Sequence, residues 1–452
     1  MAKLFGTNGV RGVVNLELTP KFIRDMSRAI GTFFKGKTIL VGIDARVTSR
    51  MIRDIVIPSL IDSGVSVYDG GLAPTPAHQY AVKYYNLDGG VVITASHNPP
   101  EYNGLKVLGE KGMELPHEYE DFIEEIYYKK NFVQGVGHFS GMLDVIKPYI
   151  NNILSLIDSS SVRERKFKIV TDTISSVAGL TVPLLLKELN VGMISINGQL
   201  DGAFSSRNPE PLPDNLQNLG RFVKSCKCDF GVAFDGDADR SIFISDEGEV
   251  VWGDRSGALL AEHSMRKHGK GVLVVGVSAS RVVEYPIKKL GGEVLWTKVG
   301  SVIITHKILE LESKGIRAFG LEENGGFFYT PHQPARDGTM SLALMLEALS
   351  GMNITLSEYN NSLPRLFMAK DKLPCPNEKK SYAIERIIRY YSSLGYEYDT
   401  IDGIRVWFNE NEWILVRPSG TEPFLRVFAE STDPEKTKDL LAKTKLEVSK
   451  LV

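Results

Sequence analysis

Gly89-Gly-Val-Val-Ile-Thr-Ala-Ser-His-Asn-Pro-Pro-Glu-Tyr-Asn-Gly104 holds the reading on which the fold turns. Residues 89–93 read as a short buried strand, and from Thr94 the chain becomes abruptly polar. Pro99 and Pro100 cannot continue a central strand or a helix interior, because each lacks an amide hydrogen and fixes its own φ. The chain therefore leaves the sheet here and places Ser96, His97 and Asn98 on an open loop. A βα turn with Ser or Asn capping the next helix accounts for such a loop. A serine delivered for chemistry accounts for it too, and this stretch alone leaves both readings open.

The same plan recurs along the chain. Apolar runs at 38–43, 65–68 and 90–94 alternate with helical patterns. A second cycle runs through 167–172, a helix near 177–189, then 192–196 and 230–234, and a third holds 271–276, 293–296 and 317–321. Such alternation predicts α/β construction with largely parallel strands. Each cycle has one strand that feeds a polar loop: Ala95-Ser-His-Asn-Pro99, Asp235-Gly-Asp-Ala-Asp-Arg240 and Glu322-Glu-Asn-Gly-Gly326. Ligands in α/β sheets bind beyond the carboxyl ends of the strands. Three similar mixed α/β domains around a central cleft would therefore bring these loops together. After residue 367 the pattern changes. Residues 372–380 read as a polar, proline-containing linker. A helix at 382–394, strands at 404–408, 412–417 and 424–429, and a charged helix at 433–450 make a smaller α+β C-terminal domain. The expected boundaries are 1–148, 149–252, 253–367 and 368–452.

Bulk properties narrow the function. The 452 residues carry 55 acidic and 53 basic side chains, a net charge of −2 with no single-sign tail. That balance argues against nucleic acid or a membrane surface as the main partner. Apolar runs such as 271–277 fall far short of the roughly 18 residues a membrane helix needs, and the first residues have no apolar export stretch. Three cysteines, Cys226, Cys228 and Cys375, suit neither a disulfide framework nor a zinc site. A cytoplasmic protein is expected.

The chemistry sits in short constellations. Asp235, Asp237 and Asp239 fall at i, i+2 and i+4, on one side of an extended segment. Three hard oxygen donors there suit Mg²⁺. A calcium EF-hand is excluded, since Arg240 stands where that loop needs glycine and Asp246 where it needs Glu. An acidic surface turn would cluster like charges at a cost. Gly6-Thr-Asn-Gly-Val-Arg11-Gly12 and Arg417-Pro-Ser-Gly-Thr-Glu-Pro423 fit oxyanions by backbone amides and an arginine fork, and fit ordinary glycine turns as well. Asp44 and Arg46 read as a salt-bridged turn. Glu322 to Gly326 offers groups that grip sugar hydroxyls, or a helix start.

Taken together and in order, these motifs resemble the α-D-phosphohexomutase superfamily, in particular its archaeal-type phosphoglucosamine and phosphomannomutase/phosphoglucomutase members, over essentially the whole chain. The resemblance implies that Ser96 carries a phosphoryl group and stands beside Mg²⁺ held by Asp235, Asp237 and Asp239. Arg11 and Arg240 would stabilise the transferring group, while His97 and Lys106 handle the hydroxyl proton. Glu322 and Asn324 would hold the sugar, and Arg417, Ser419, Gly420 and Thr421 its non-reacting phosphate. The implied reaction interconverts hexose 1- and 6-phosphates through a hexose 1,6-bisphosphate, with glucosamine, mannose and glucose phosphates as candidate substrates. Rival readings are a Mg²⁺-dependent sugar phosphatase and a silent sugar-phosphate sensor. Many relatives have Ser and His where this chain has Asn324 and Gly326, and His or Asp in place of Ser301, so the choice of sugar is the open point.

Overall fold

Val91, Val92 and Ile93 are β-branched, with no polar side chain to satisfy on either face, and suit a strand covered on both sides. In the computed structural model, which describes residues 3–6, 8–420 and 422–452, the strand Gly89–Ile93 is buried at every position. It lies inside a six-stranded sheet, parallel to Thr38–Ile43 and antiparallel to Tyr102–Leu108. Helices Pro20–Phe33, Ser49–Asp62 and Thr75–Tyr84 cover this sheet. The first begins where the sequence asks it to: Thr19 accepts from the Phe22 amide, and Pro20 takes the position whose amide would be orphaned anyway.

Two more sheets repeat the plan. In the second, Lys168–Asp172 pairs in parallel with Gly192–Ile196 and Phe230–Phe234, and Ser241–Ile244 returns antiparallel. In the third, Val272–Gly276 lies between parallel Glu293–Thr297 and Ala318–Glu322, with Gly326–Phe328 antiparallel. The fourth sheet has five antiparallel strands and two long helices, Lys380–Ser393 and Pro434–Ser449. The architecture is thus three mixed α/β units and one α+β unit.

Two expectations change. All three polar loops join a core strand to an antiparallel return strand, not to a helix. A βα turn at Thr94 to Gly104 is therefore excluded, and the return strand brings Lys106 back beside the loop. The stretch 372–380 read as a linker is structured: a short 3-10 turn at Asn377–Lys379 leads into the helix that begins at Lys380, and residues 372–374 end an edge strand, Phe367–Pro374, that pairs along its full length with Phe424–Ser431. Its proline sits at the strand end, where the missing donor costs no interior ladder bond.

One continuous apolar core runs from Leu40 of the first sheet through Phe230 and Phe243 to Phe319 and Leu346. At its centre the helix Gly338–Met352 is buried along most of its length and is capped by Asp337, which also accepts from the Tyr149 hydroxyl at 2.6 Å. That shared core holds the three polar loops in register with one another. Among the described residues, no single helix is long and apolar enough to cross a membrane.

Candidate active site

Ser96 follows the buried strand directly, in a left-handed conformation with φ 51°. It was expected on an open loop, yet it is fully buried, because the Asp235–Asp239 loop of the second unit closes over it. Its hydroxyl donates to Asp235 Oδ2 at 2.9 Å, and His97 Nδ1 lies 3.4 Å from the same oxygen. Burial, reinforced by Arg240 and Arg11, holds His97 well below its ordinary pKa, so the imidazole is neutral. Arg11 reaches from the neighbouring strand to Asn98 Oδ1 at 2.8 Å and to the Ala95 carbonyl at 3.2 Å. Its guanidinium is lowered by burial to about 10.

The three aspartates are buried, and one oxygen from each lies within 4.8 Å of the other two. Protein donors occupy only part of them. Asp237 Oδ2 accepts from Thr75 Oγ1 at 2.7 Å and Lys106 Nζ at 2.9 Å; Asp239 Oδ2 accepts from Arg336 at 2.6 Å and Lys106 at 3.2 Å. Asp237 Oδ1 and Asp239 Oδ1 are buried with no donor. Unpaired buried carboxylate oxygens are costly, and a hard divalent cation is the partner their geometry and chemistry fit. Burial, then repulsion from Asp239 and Asp237, pushes the Asp235 carboxyl well up. Burial acts the same way on Asp237, but Lys106 and Thr75 outweigh it and hold that carboxyl below the usual range. Lys106 is itself raised: burial opposes its charge, and Asp237 and Asp239 prevail. It enters the site as an ammonium. Arg240 is also buried here, its Nε 3.9 Å from Asp239 Oδ1 and its backbone amide donating to Asp235 Oδ1 at 3.3 Å.

Arg336, which no sequence motif marked, ties this cluster to the third unit. One arm meets Asp239 and the other donates to Glu322 Oε2 at 2.8 Å. Glu114 of the first unit stands 3.9 Å from Arg336 and accepts from Ser301 Oγ at 2.8 Å and Asn8 at 2.5 Å. The Ser301 hydroxyl is therefore already engaged. Asn324 has a buried Oδ1 with no donor. Gly325, next in the chain, has φ +91°, and a Cβ there would lie 2.3 Å from the Ser241 carbonyl, so only glycine lets this loop rest on the second sheet.

In the fourth unit Arg417 donates to Asp402 at 2.7 Å, and Asp402 also accepts from the Val299 amide of the third unit. Ser419 is buried and Gly420 exposed; Thr421 lies outside the described residues. Lys380, unmarked in the sequence, donates to the carbonyls of Ser419 and Glu422 and pins the loop's two ends. A periodicity reading passes over Thr75, Arg336 and Lys380 because each lies on an ordinary helix or coil, far along the chain from its partner.

Comparison with known proteins agrees with this geometry. Profiles of the phosphoglucomutase/phosphomannomutase domains match in order: alpha/beta/alpha domain I over residues 2–134, domain II over 147–248, domain III over 252–367 and the C-terminal domain over 372–446. A phosphoglucosamine/phosphogalactosamine mutase from Sulfurisphaera tokodaii is 44% identical, covering 98% of this chain and 99% of its own. A phosphoglucomutase/phosphomannomutase from Thermococcus kodakarensis is 39% identical, covering 98% and 97%. Among solved structures, a phosphoglucomutase/phosphomannomutase family protein from Burkholderia thailandensis superposes with a TM-score of 0.88 at 26% identity, over 99% of this chain and 98% of that one.

Proposed function

The chain belongs to the phosphoglucomutase/phosphomannomutase family of the α-D-phosphohexomutase superfamily and is an isomerase, and on that premise we propose that it interconverts glucosamine 1- and 6-phosphates as its main activity. We place it in the cytoplasm. The observation that carries the proposal is the buried Ser96 hydroxyl, hydrogen-bonded to Asp235 in a cluster where two carboxylate oxygens have no hydrogen-bond donor among the described residues.

In this reading Ser96 carries the phosphoryl group, gives it to the free hydroxyl of the monophosphate, and takes the other phosphoryl group back after the 1,6-bisphosphate has turned. Asp235, Asp237 and Asp239 would hold Mg²⁺, which when bound neutralises charge on the transferring group. Arg11, held on Asn98 and the Ala95 carbonyl, and Arg240, beside Asp239, would stabilise charge that develops on the transferring group. Neutral His97 beside Ser96 Oγ can accept a proton, and the Lys106 ammonium can supply one. Glu322, oriented by Arg336, and Asn324, whose buried Oδ1 has no donor among the described residues, would take the sugar hydroxyls. Arg417, Ser419, Gly420 and Thr421 take the non-reacting phosphate and convert remote binding into orientation.

Ser301 supports a tolerant pocket, since its hydroxyl is committed to Glu114 rather than to a sugar substituent. Activity on mannose and glucose phosphates is expected beside glucosamine phosphate, with preferences within about a hundred-fold. The test is a panel of glucosamine, galactosamine, mannose and glucose 1-phosphates, each assayed with a trace of its 1,6-bisphosphate. Net release of inorganic phosphate in place of the 6-phosphate would make the chain a phosphatase. A preference of several thousand-fold for another sugar would overturn the substrate assignment.

A further inference from the structure

Arg46 has no place in the roles above, yet its side chain is fully enclosed and every donor points inward. Nε donates to Asp44 Oδ2 at 3.2 Å. One terminal nitrogen donates to the carbonyls of Pro99 (2.6 Å) and Tyr102 (2.9 Å), the other to those of Ser96 (2.7 Å) and Asn98 (2.6 Å). Four carbonyls of the serine loop thus converge on one guanidinium. Convergent carbonyl dipoles repel one another unless a cation lies among them, and only a planar fork with five donors meets this many at fixed angles. Ser96 itself adopts a left-handed conformation that L residues avoid and that persists only where surroundings over-determine it. Arg46 supplies that determination.

The clamp reaches into the second unit. The Phe204 ring lies 5.0 Å from the Arg46 guanidinium. The edge of the ring also approaches the aspartate loop: a Cβ at Gly236 would stand 3.3 Å from Phe204 Cζ and 2.4 Å from the Ser96 carbonyl. Phe204 and the Ser96 carbonyl therefore both lie against Gly236 and against the Arg46 guanidinium, which links the clamp to the loop that Ser96 faces. Neither Arg46 nor Phe204 contacts Glu322, Asn324 or Arg417 among the described residues.

We propose that Arg46 and Phe204 form one positioning unit for the phosphoryl-carrying serine, which fixes Ser96 against Asp235 and sets turnover while leaving sugar affinity alone. The proposal rests on the reading of Ser96 as phosphoryl carrier. A misplacement of about 1 Å at a reacting atom costs on the order of a hundred-fold in rate. Arg46→Lys keeps the charge but cannot serve four carbonyls, and Phe204→Leu keeps apolar bulk without the π face.

The experiment uses the full chain with Mg²⁺ and glucosamine 1-phosphate. Intact-mass measurement gives the fraction of chains phosphorylated on Ser96, and kcat is expressed per phosphorylated chain. Expected are a loss of about a hundred-fold for Arg46→Lys and about ten-fold for Phe204→Leu, with KM within about three-fold of wild type. Should Arg46→Lys fail to fold, Phe204→Leu carries the test alone. Unchanged kcat per phosphorylated chain, with only a lower melting temperature, would show a purely structural clamp and overturn the proposal. A KM rising in step with the loss of kcat would overturn it too. Wild-type turnover with no phosphate ever found on Ser96 would instead overturn the reading beneath it.

Discussion

Arg336→Met removes a side chain that joins the aspartate cluster to Glu322 of the third unit. The arginine is buried and makes two short charge-assisted contacts, 2.6 Å to Asp239 and 2.8 Å to Glu322. Each is worth about 1.5–3 kcal/mol, so the two together set a ceiling of about 6 kcal/mol. Lys106 remains on the same oxygen of Asp239 at 3.2 Å and spares most of that half. Glu322 loses its charged partner Arg336 and stays buried. The expected loss is about 3 kcal/mol, the low end for breaking a buried pair from one side. All four tryptophans lie from Trp252 onward, so their fluorescence in a denaturant titration follows the part of the chain that holds Arg336. Arg336→Lys can reach one carboxylate but not both, and should lose about half as much. A Met variant within about 0.5 kcal/mol of wild type, or a Lys variant as damaged as the Met variant, would refute the reasoning.

Arg417→Ala should raise KM for the monophosphate by roughly ten- to a hundred-fold and let free bisphosphate accumulate, because the loop must hold either phosphate as the intermediate turns; unchanged KM without leakage in a coupled assay would place the fourth unit outside the site. Asp237→Asn removes a charge and keeps the shape, so kcat should fall sharply, with partial rescue by excess Mg²⁺; a native enzyme fully active in EDTA would contradict the metal assignment. Ser175→Gly should stabilise the protein by about 1 kcal/mol, since Ser175 sits at φ 56° with a buried hydroxyl that has no partner, and relief of both outweighs glycine's extra chain entropy; a lower midpoint in denaturant would count against this.

The strand-to-loop transitions were legible because they are local: a short apolar run that gives way to Pro-Pro or to three carboxylates marks its own strand end. The aspartate spacing likewise marked, within five consecutive residues, the carboxylates that the fold buries together. What the sequence hid was the company each loop keeps. Ser96 read as exposed because nothing within its own segment shows that Asp235, 139 residues away, will cover it. Arg46 read as a plain salt-bridged turn because its four carbonyl partners lie 50–56 residues ahead. Arg336 and Lys380 carry no spacing signal, since an isolated cation on a helix or coil is usually solvated. The last three residues of the edge strand Phe367–Pro374 read as part of a linker because the strand's outward face is polar, as an edge strand's should be to resist pairing with another chain.

The central claim is that Ser96 is the phosphoryl carrier. The most direct measurement is intact mass of the active wild-type chain alongside Ser96→Ala, each assayed for turnover and for binding of glucosamine 6-phosphate. The account predicts one added phosphate on the wild type, none on Ser96→Ala, and binding without turnover in the variant. A Ser96→Ala chain that interconverts the monophosphates at the wild-type rate would contradict it.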